Sequence, residues 1–462
     1  MLFQSASFLI FLPATVAIFW LIPRAWRPHW LVVSSYLFYA TWSVPYALLM
    51  FILVVANWGI IRAAQDLPAR RRAILTAGIA GDLLTLGVFK YLGLVEQTAR
   101  SAAASLGVPL PIPDLVFVLP LGISFFTFEY VHALGDAGRG PIPVSSFTEW
   151  HAFCAFFPTQ IAGPIKRLQQ FIPQLRALPR PTGADLTHAV ELICGGLFKK
   201  LVFADTLAVV ADAGFADLHG LSQLDAWAAL TAFAFQIYWD FSGYTDIARG
   251  AALLFGFRVP LNFRQPYLAA DVSEFWERWH ISLSQWLRDY VFIPLGGSRE
   301  GVARTLRNLL ITFLLGGLWH GAAWHFVAWG GYWGAMLAIY HYLGSIKRRP
   351  ALPRVAGIAI TFLIALVGWA LFRLPVTDAA TLVTALVVGG NRPAVLPTSK
   401  IALTLGVVVA YFGFAALRSA AATRLPAWSP WPALRGVYLA GLLGVAVIAA
   451  PVGYRAFIYF QF

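Results

Sequence analysis

The sequence predicts an all-α, polytopic transmembrane helical bundle, and three observations lead there. Of 462 residues, 59% are apolar and only 12% carry charge, whereas a soluble domain has about 25% charged residues. The apolar residues run in long blocks, near 7–22, 31–61, 73–95, 115–134, 186–212, 224–256, 307–343, 355–373, 400–417 and 436–458. One helical crossing of a bilayer takes roughly 20 such residues, so the blocks predict about 10–12 membrane segments, some of them short or re-entrant. They lack the alternating strands of about ten residues that a β-barrel requires.

Residues 1–100 read as plain hairpins of apolar helix. The leader Met1-Leu2-Phe3-Gln4-Ser5 has no basic stretch, and the first block runs into Ile22-Pro23 without a small-residue cleavage site. It therefore reads as a retained span, not a secretory signal. The net charge of +13 does not point to nucleic acid, because of where it sits. Arg24 and Arg27, then Arg62, Arg70, Arg71 and Arg72, then Lys347, Arg348 and Arg349 occupy short loops between apolar blocks. That is the positive-inside pattern, which orients a chain and attracts anionic lipid head groups. Two spans, 31–44 and 45–61, separate Arg24 from Arg70, which places both on one side and the N-terminus away from the cytoplasm.

Residues 120–345 hold nearly all the polar residues, Gly and Trp found within apolar blocks, and 355–462 return to plain spans. Polar groups in hydrocarbon are costly unless paired or lining a wet cavity. One membrane-embedded domain over 1–462, with a polar catalytic core at about 120–345, is therefore expected. No internal repeat supports an inverted-repeat transporter. Cys154 and Cys194 stand in apolar surroundings without metal-ligand spacing and read as small buried side chains. No P-loop, G-x-S-x-G elbow, H-E-x-x-H or other metal motif is present, so no metal is expected.

Four constellations in the core carry candidate chemistry. In 314–334, His320 lies in an apolar run beside Gly316, Gly317 and Gly321, which allow close approach of another helix or a ligand. An imidazole held among apolar groups is expected to stay uncharged, as a general base must be; a histidine that only bonds a neighbouring helix is the alternative. On a continuous helix His325 projects from a face about 140° away and reads as structural. In 271–297, Trp276, His280, Ser284 and Arg288 recur every fourth residue and share one face of an aromatic-rich amphipathic helix. Such a helix lies at the interface or walls an aqueous cavity. In 236–249, Asp240, Tyr244 and Asp246 sit within an apolar block, with Arg249 in reach of Asp246. They are either a structural network or a substrate lining. In 157–167, Gly163-Pro164 breaks the chain beside Lys166 and Arg167, which meet anionic phosphates or mark the cytoplasmic edge.

These residues, in this order, resemble the membrane-bound O-acyltransferase (MBOAT) family, and within it the bacterial subfamily of polytopic alginate O-acetylation proteins. The resemblance runs nearly end to end. It includes Met-Leu-Phe-Gln-Ser at the start, Leu31 to Tyr39, Phe89-Lys90-Tyr91, Pro120 to Phe128, Phe156-Phe157-Pro158 and Ala162-Gly163-Pro164. It continues with Asp240 to Asp246, Phe275-Trp276 to Ser284, Leu318-Trp319-His320-Gly321, Trp369 to Arg373 and Phe457 to Phe462. The sequence departs from that pattern at 129–140, where a more regular aromatic and aliphatic run is expected, and at Asp82, where Asn is expected.

The resemblance implies that His320 is the catalytic histidine and His280 the second family histidine, in a bundle built around a central funnel. It further implies acetyl transfer towards extracytoplasmic polysaccharides from the bacterial inner membrane, with periplasmic acetyltransferase or export partners. No bound cofactor is expected; acetyl-CoA is the expected donor substrate. Trp319, Trp276, Ser284, Arg288, Asp240, Tyr244 and Asp246 are the expected substrate-lining set. The alternatives are D-alanyl or other acyl transfer from a carrier protein, a transporter or flippase, and a non-catalytic scaffold.

Overall fold

A computed structural model describes residues 1–108, 118–349, 351–388, 394–422, 432–449 and 455–458. The tyrosine, phenylalanine and glutamine of the terminal motif at 459–462 lie outside these residues. Among the described residues every regular element is helical: α1 Ala6–Leu21, α2 Arg27–Ala40, α3 Val44–Asp66, α4 Arg71–Ser105, α5 Ile123–Arg139, α6 Phe147–Ala155 and α7 Phe157–Gln160. Then follow α8 Leu168–Ala177, α9 Gly183–Phe198, α10 Asp205–Phe215, α11 Gln223–Leu254, α12 Val272–Arg278 and α13 Ile281–Leu287. The chain continues through α14 Val302–His320, α15 Trp324–Ser345, α16 Arg354–Arg373, α17 Val376–Val388, α18 Thr398–Ala422 and α19 Pro432–Ala449.

Many helices begin where a hydroxyl is placed to take the first free amides. Ser5, Ser43 and Ser146 cap α1, α3 and α6, and Thr182 with Asp185 and Ser222 with Asp225 form reciprocal capping boxes on α9 and α11. Among the described residues three helical stretches, Val44–Asp66, Pro68–Ser105 and Arg354–Arg373, are long and apolar enough to cross a bilayer; Ala6–Leu21, Val376–Val388 and Thr398–Phe414 are shorter apolar helices. Leucine, isoleucine and valine side chains such as Leu48, Ile52, Leu83, Leu84, Val355 and Ile360 stand exposed. Contiguous exposed apolar surface on this scale belongs against lipid.

Several blocks that read as continuous apolar helix are interrupted. The block 307–343 breaks at 321–323 into α14 and α15, and 186–212 divides into α9, a π-helical turn Lys199–Ala204, and α10. By contrast 224–256 is almost one helix, α11, buried along nearly its whole length and packed against α9 and α10. A helix apolar on all sides belongs at the centre.

Around it lie two aromatic-rich cores. One gathers residues of α1 to α9, the C-terminal half of α11 and α13 with Trp319. The other gathers residues of α10, α11, α12 and α15 to α18. The basic loops collect at one end: Arg24 donates to the carbonyls of Arg176 (3.0 Å) and Ala177 (2.8 Å), and Arg71 donates to those of Ala137 and Gly140. Arg176 in turn clasps Glu149 at 2.6 and 2.9 Å and pulls that carboxyl down to about 2. The pair is therefore ionised at neutral pH and weakens only as pH falls from the ordinary carboxylate range towards that value.

The hairpin of α14 and α15 carries His320, and its two helices touch backbone to backbone. A Cβ on Gly317 would run into the carbonyl oxygen of Phe326, and one on Gly330 into that of Phe313. Gly317→Ala should destabilise the protein in detergent by about 1–3 kcal/mol, since the packed backbones have nowhere to move. Gly59→Ala, with open space at the Cβ position, should be neutral or stabilising. Equal thermal shifts for the two would contradict this account of the hairpin.

Candidate active site

His320 is the last residue of α14, not the middle of a longer helix as the sequence suggests. Gly321 is extended and the chain re-enters a helix only at Trp324; the Phe326 ring fills the space a side chain at 321 would take, so glycine is required there. The last carbonyls of a helix lack intrahelical partners. Here the Tyr91 hydroxyl donates to the Leu318 carbonyl at 2.6 Å, and the Lys90 ammonium donates to that of Trp319 and to Ser124 Oγ at 3.3 Å. A cation at a helix C-terminus is also favoured by the helix dipole. The imidazole of His320 is ringed by Trp319, Trp329 and Phe372, with centroids 4.9, 4.8 and 5.2 Å away.

His280 also sits at a break. The sequence reads 276–288 as one helix; instead α12 ends at Arg278, Trp279 is extended, and His280 takes the left-handed conformation (φ 43, ψ 54) before α13. A non-glycine residue there is strained and persists only when its surroundings hold it. Buried Asn262 does so, accepting the Ile281 amide on its carbonyl (3.0 Å) and the Ser282 amide on its side chain (3.1 Å). The His280 ring faces Phe241 at 4.7 Å and Trp319 at 6.0 Å. Both histidines thus meet Trp319, where the two aromatic cores come together.

A cavity of about 620 Å³ reaches His320. Lys90, Ser124, Phe125 and Trp319 flank the histidine, residues 118–122 form a side, and Met1, Phe38, Tyr39 and Trp42 face it. Gly122 (φ 77) lets the 118–122 loop turn into α5 against the Gln160 carbonyl, which a Cβ would approach to 2.9 Å. Exposed Trp42 and Val118 lie at the mouth, at the end of α2 away from Arg24. A second cavity of about 560 Å³ lies between α4, α5 and α13–α14, almost wholly apolar, with Arg139 and Tyr290 at one end and Trp319 at the other. Among the described residues Trp319 alone lines both cavities.

The remaining sequence candidates lie apart from His320. Trp276 packs against Phe313, Trp329 and Trp333. The Ser284 hydroxyl donates to the Trp279 carbonyl at 3.3 Å, and Arg288 is exposed and pairs with Asp289 at 2.9 Å. The shared face with His280 is lost because the left-handed turn resets the helix register. Asp246 pairs with Lys199 (2.6 Å) and with Arg249 (3.2 Å). Tyr244 stacks on Phe3 and meets Phe457, while Asp240 binds Lys200 at 2.6 Å. Lys166 is not offered to phosphates: it is buried against Glu129 at 2.5 Å, and Arg167 pairs with Asp289 at 3.3 Å. The charges in the unusual 129–140 stretch thereby have partners, as does Asp82, which accepts the Asn57 amide at 2.9 Å. His325 contacts the Leu371 carbonyl at 3.2 Å. Cys154 and Cys194 are buried free thiols, and no metal-binding cluster occurs among the described residues.

Sequence reading named Lys90 and the N-terminal residues only as family motifs and gave them no place at the site, because 1–100 looked like plain membrane hairpins. A lysine inside the apolar block 73–95 was the available signal.

The geometry can be set beside known proteins. The model of the family described as "MBOAT, membrane-bound O-acyltransferase family" matches residues 113–377. The chain is 40% identical over 385 residues to "Probable alginate O-acetylase AlgI" of Azotobacter vinelandii, covering 82% of this chain and 76% of that protein. It is 34% identical over 402 residues to the peptidoglycan O-acetyltransferase of Helicobacter pylori, covering 80% and 75%. Over 239 residues it is 31% identical to the teichoic acid D-alanyltransferase of Streptococcus thermophilus, covering 49% and 56%.

The cap on α14 has a direct test. Tyr91→Phe should destabilise by about 0.5–1.5 kcal/mol and Lys90→Met by about 1–3 kcal/mol, read from thermal unfolding in detergent. Unchanged melting of both variants would show that these donors do not hold the helix end.

Proposed function

The chain belongs to the membrane-bound O-acyltransferase family, and from that premise we propose that it moves an acetyl group from a cytoplasmic thioester, acetyl-CoA, towards hydroxyls of an extracytoplasmic polysaccharide. Its place is the bacterial cytoplasmic membrane, crossed many times, with the arginine-rich end in the cytoplasm. Periplasmic acetyltransferase or export proteins complete the pathway. The observation that carries this reading is His320 at a helix end beside a cavity whose mouth lies away from the arginine loops.

In the proposed step the uncharged imidazole of His320 takes the proton from the incoming hydroxyl as its oxygen attacks the thioester carbonyl carbon. The new C–O bond gives a tetrahedral oxyanion, whose collapse breaks the C–S bond; the departing thiolate then takes the proton back from the imidazolium. The Lys90 ammonium, within reach of the same cavity, and His280 behind Trp319 are the groups available to favour developing negative charge. The two cavities that share Trp319 support approach of donor and acceptor from opposite ends. Similarity to a D-alanyltransferase over half the chain supports a second reading, transfer of D-alanine from a carrier protein; release of free coenzyme A distinguishes the first.

Membranes carrying His320→Ala should transfer labelled acetyl from acetyl-CoA about 10²–10⁴-fold more slowly than wild type. His280→Ala should fall less, about tenfold to a hundredfold. Undiminished transfer by His320→Ala would falsify the assignment. Substrate flux retained by His320→Gln without acetyl transfer would identify a transporter instead.

A further inference from the structure

Residues 455–457 take no regular secondary structure, Phe457 and Ile458 are buried, and the partners of this segment are mostly charged side chains from distant elements. Lys200, 1% exposed, bridges Asp240 (2.6 Å) and Asp205 (2.8 Å) and donates to the Ala456 carbonyl at 3.3 Å. The other oxygen of Asp240 accepts the Ile458 amide at 2.6 Å. Asp212 binds Arg455 at 2.6 Å and Arg373 at 3.0 Å, and the Gln4 amide donates to the Arg455 carbonyl at 3.1 Å. Phe457 is seated between Tyr244, with ring centroids 4.8 Å apart, and the Lys200 ammonium, 4.7 Å from its ring.

This segment is also a wall. Ala456 lines the cavity that holds His320, and on its other side lies a polar cavity of about 220 Å³ lined by Lys200, Asp205, Asp212, Gln236, Asp240 and Arg373. Backbone outside regular secondary structure in the interior of a helical membrane protein does not pair its own amides and carbonyls, and each left unpaired is costly in hydrocarbon. The ion network supplies those partners. A buried ion pair adds little net stability compared with apolar packing, so its use here is to fix one position of the backbone.

We propose that residues 455–458 form the wall of the His320 cavity facing the acceptor, and that Lys200 and Asp240 are positioning residues that hold this wall in place. The inference rests on the proposed role of His320 as the transfer centre, but the position of the segment is tested without it.

In full-length protein in native membranes, with Cys154 and Cys194 replaced by Ala, Ile458→Cys should resist a polar maleimide. Adding Asp240→Ala should speed labelling by about tenfold or more, and adding Asp240→Asn, which keeps an oxygen for the Ile458 amide, by less. Equal labelling rates in all three would overturn the clamp. Ala456→Leu, which leaves every ion pair in place, should raise the apparent KM for alginate oligosaccharides about tenfold while the KM for acetyl-CoA and kcat stay within about twofold. Unchanged KM values for both substrates would overturn the wall. If His320→Ala leaves acetyl transfer intact while the labelling order holds, the catalytic assignment fails and the clamp stands.

Discussion

The site depends on where one helix stops. α14 delivers His320 at its final residue, and the carbonyls left open there are closed by Lys90 and Tyr91 from α4. A helix that continued would close these carbonyls with its own amides, whereas an end without donors would leave them bare in hydrocarbon. The termination and its cap are therefore one device. The backbone contact of Gly317 and Gly330 fixes the direction in which α14 arrives, and the cap fixes where it ends.

The same logic recurs wherever this chain leaves the helical state inside the bundle. Asn262 closes the strained turn at His280, and Ser282 Oγ accepts the Ile165 amide after the Gly163-Pro164 break. The ion network around Lys200 closes the irregular segment 455–458. In each case a polar side chain from another element supplies what secondary structure does not. The turn at His280 and the end of α14 carry the two histidines and Ala456 of the irregular segment lines the His320 cavity, whereas α3, α4 and α16 remain long and uninterrupted.

Much of this was legible in the sequence. The helical class followed from block length, and His320 stood out as a histidine among glycines in an apolar, tryptophan-rich run. The Asp246–Arg249 pair followed from their spacing. The breaks at 279–280 and 321–323 were not legible, because hydrophobic periodicity continues across them and only tertiary partners enforce them. Grouping Ser284, Arg288 and Trp276 with His280 failed for that reason. Asp240 read as a possible lining residue because Lys200 and Ile458, which occupy its oxygens, lie 40 and 218 residues away in the chain. Lys90 was hidden by its plain neighbours, although the cost of an ammonium at that depth was reason enough to seek its partner.

The central claim is that the cavity holding His320 and the second cavity, which meet at Trp319, open towards opposite sides of the membrane. It is tested most directly by one-sided labelling of single cysteines in sealed membranes of known orientation. A cysteine replacing Ser124, in the His320 cavity, should react with an impermeant maleimide from the extracytoplasmic side only. A cysteine replacing Arg139, at the far end of the second cavity, should react from the cytoplasmic side only. Labelling of both from one face, or of Ser124→Cys from neither, would contradict the account.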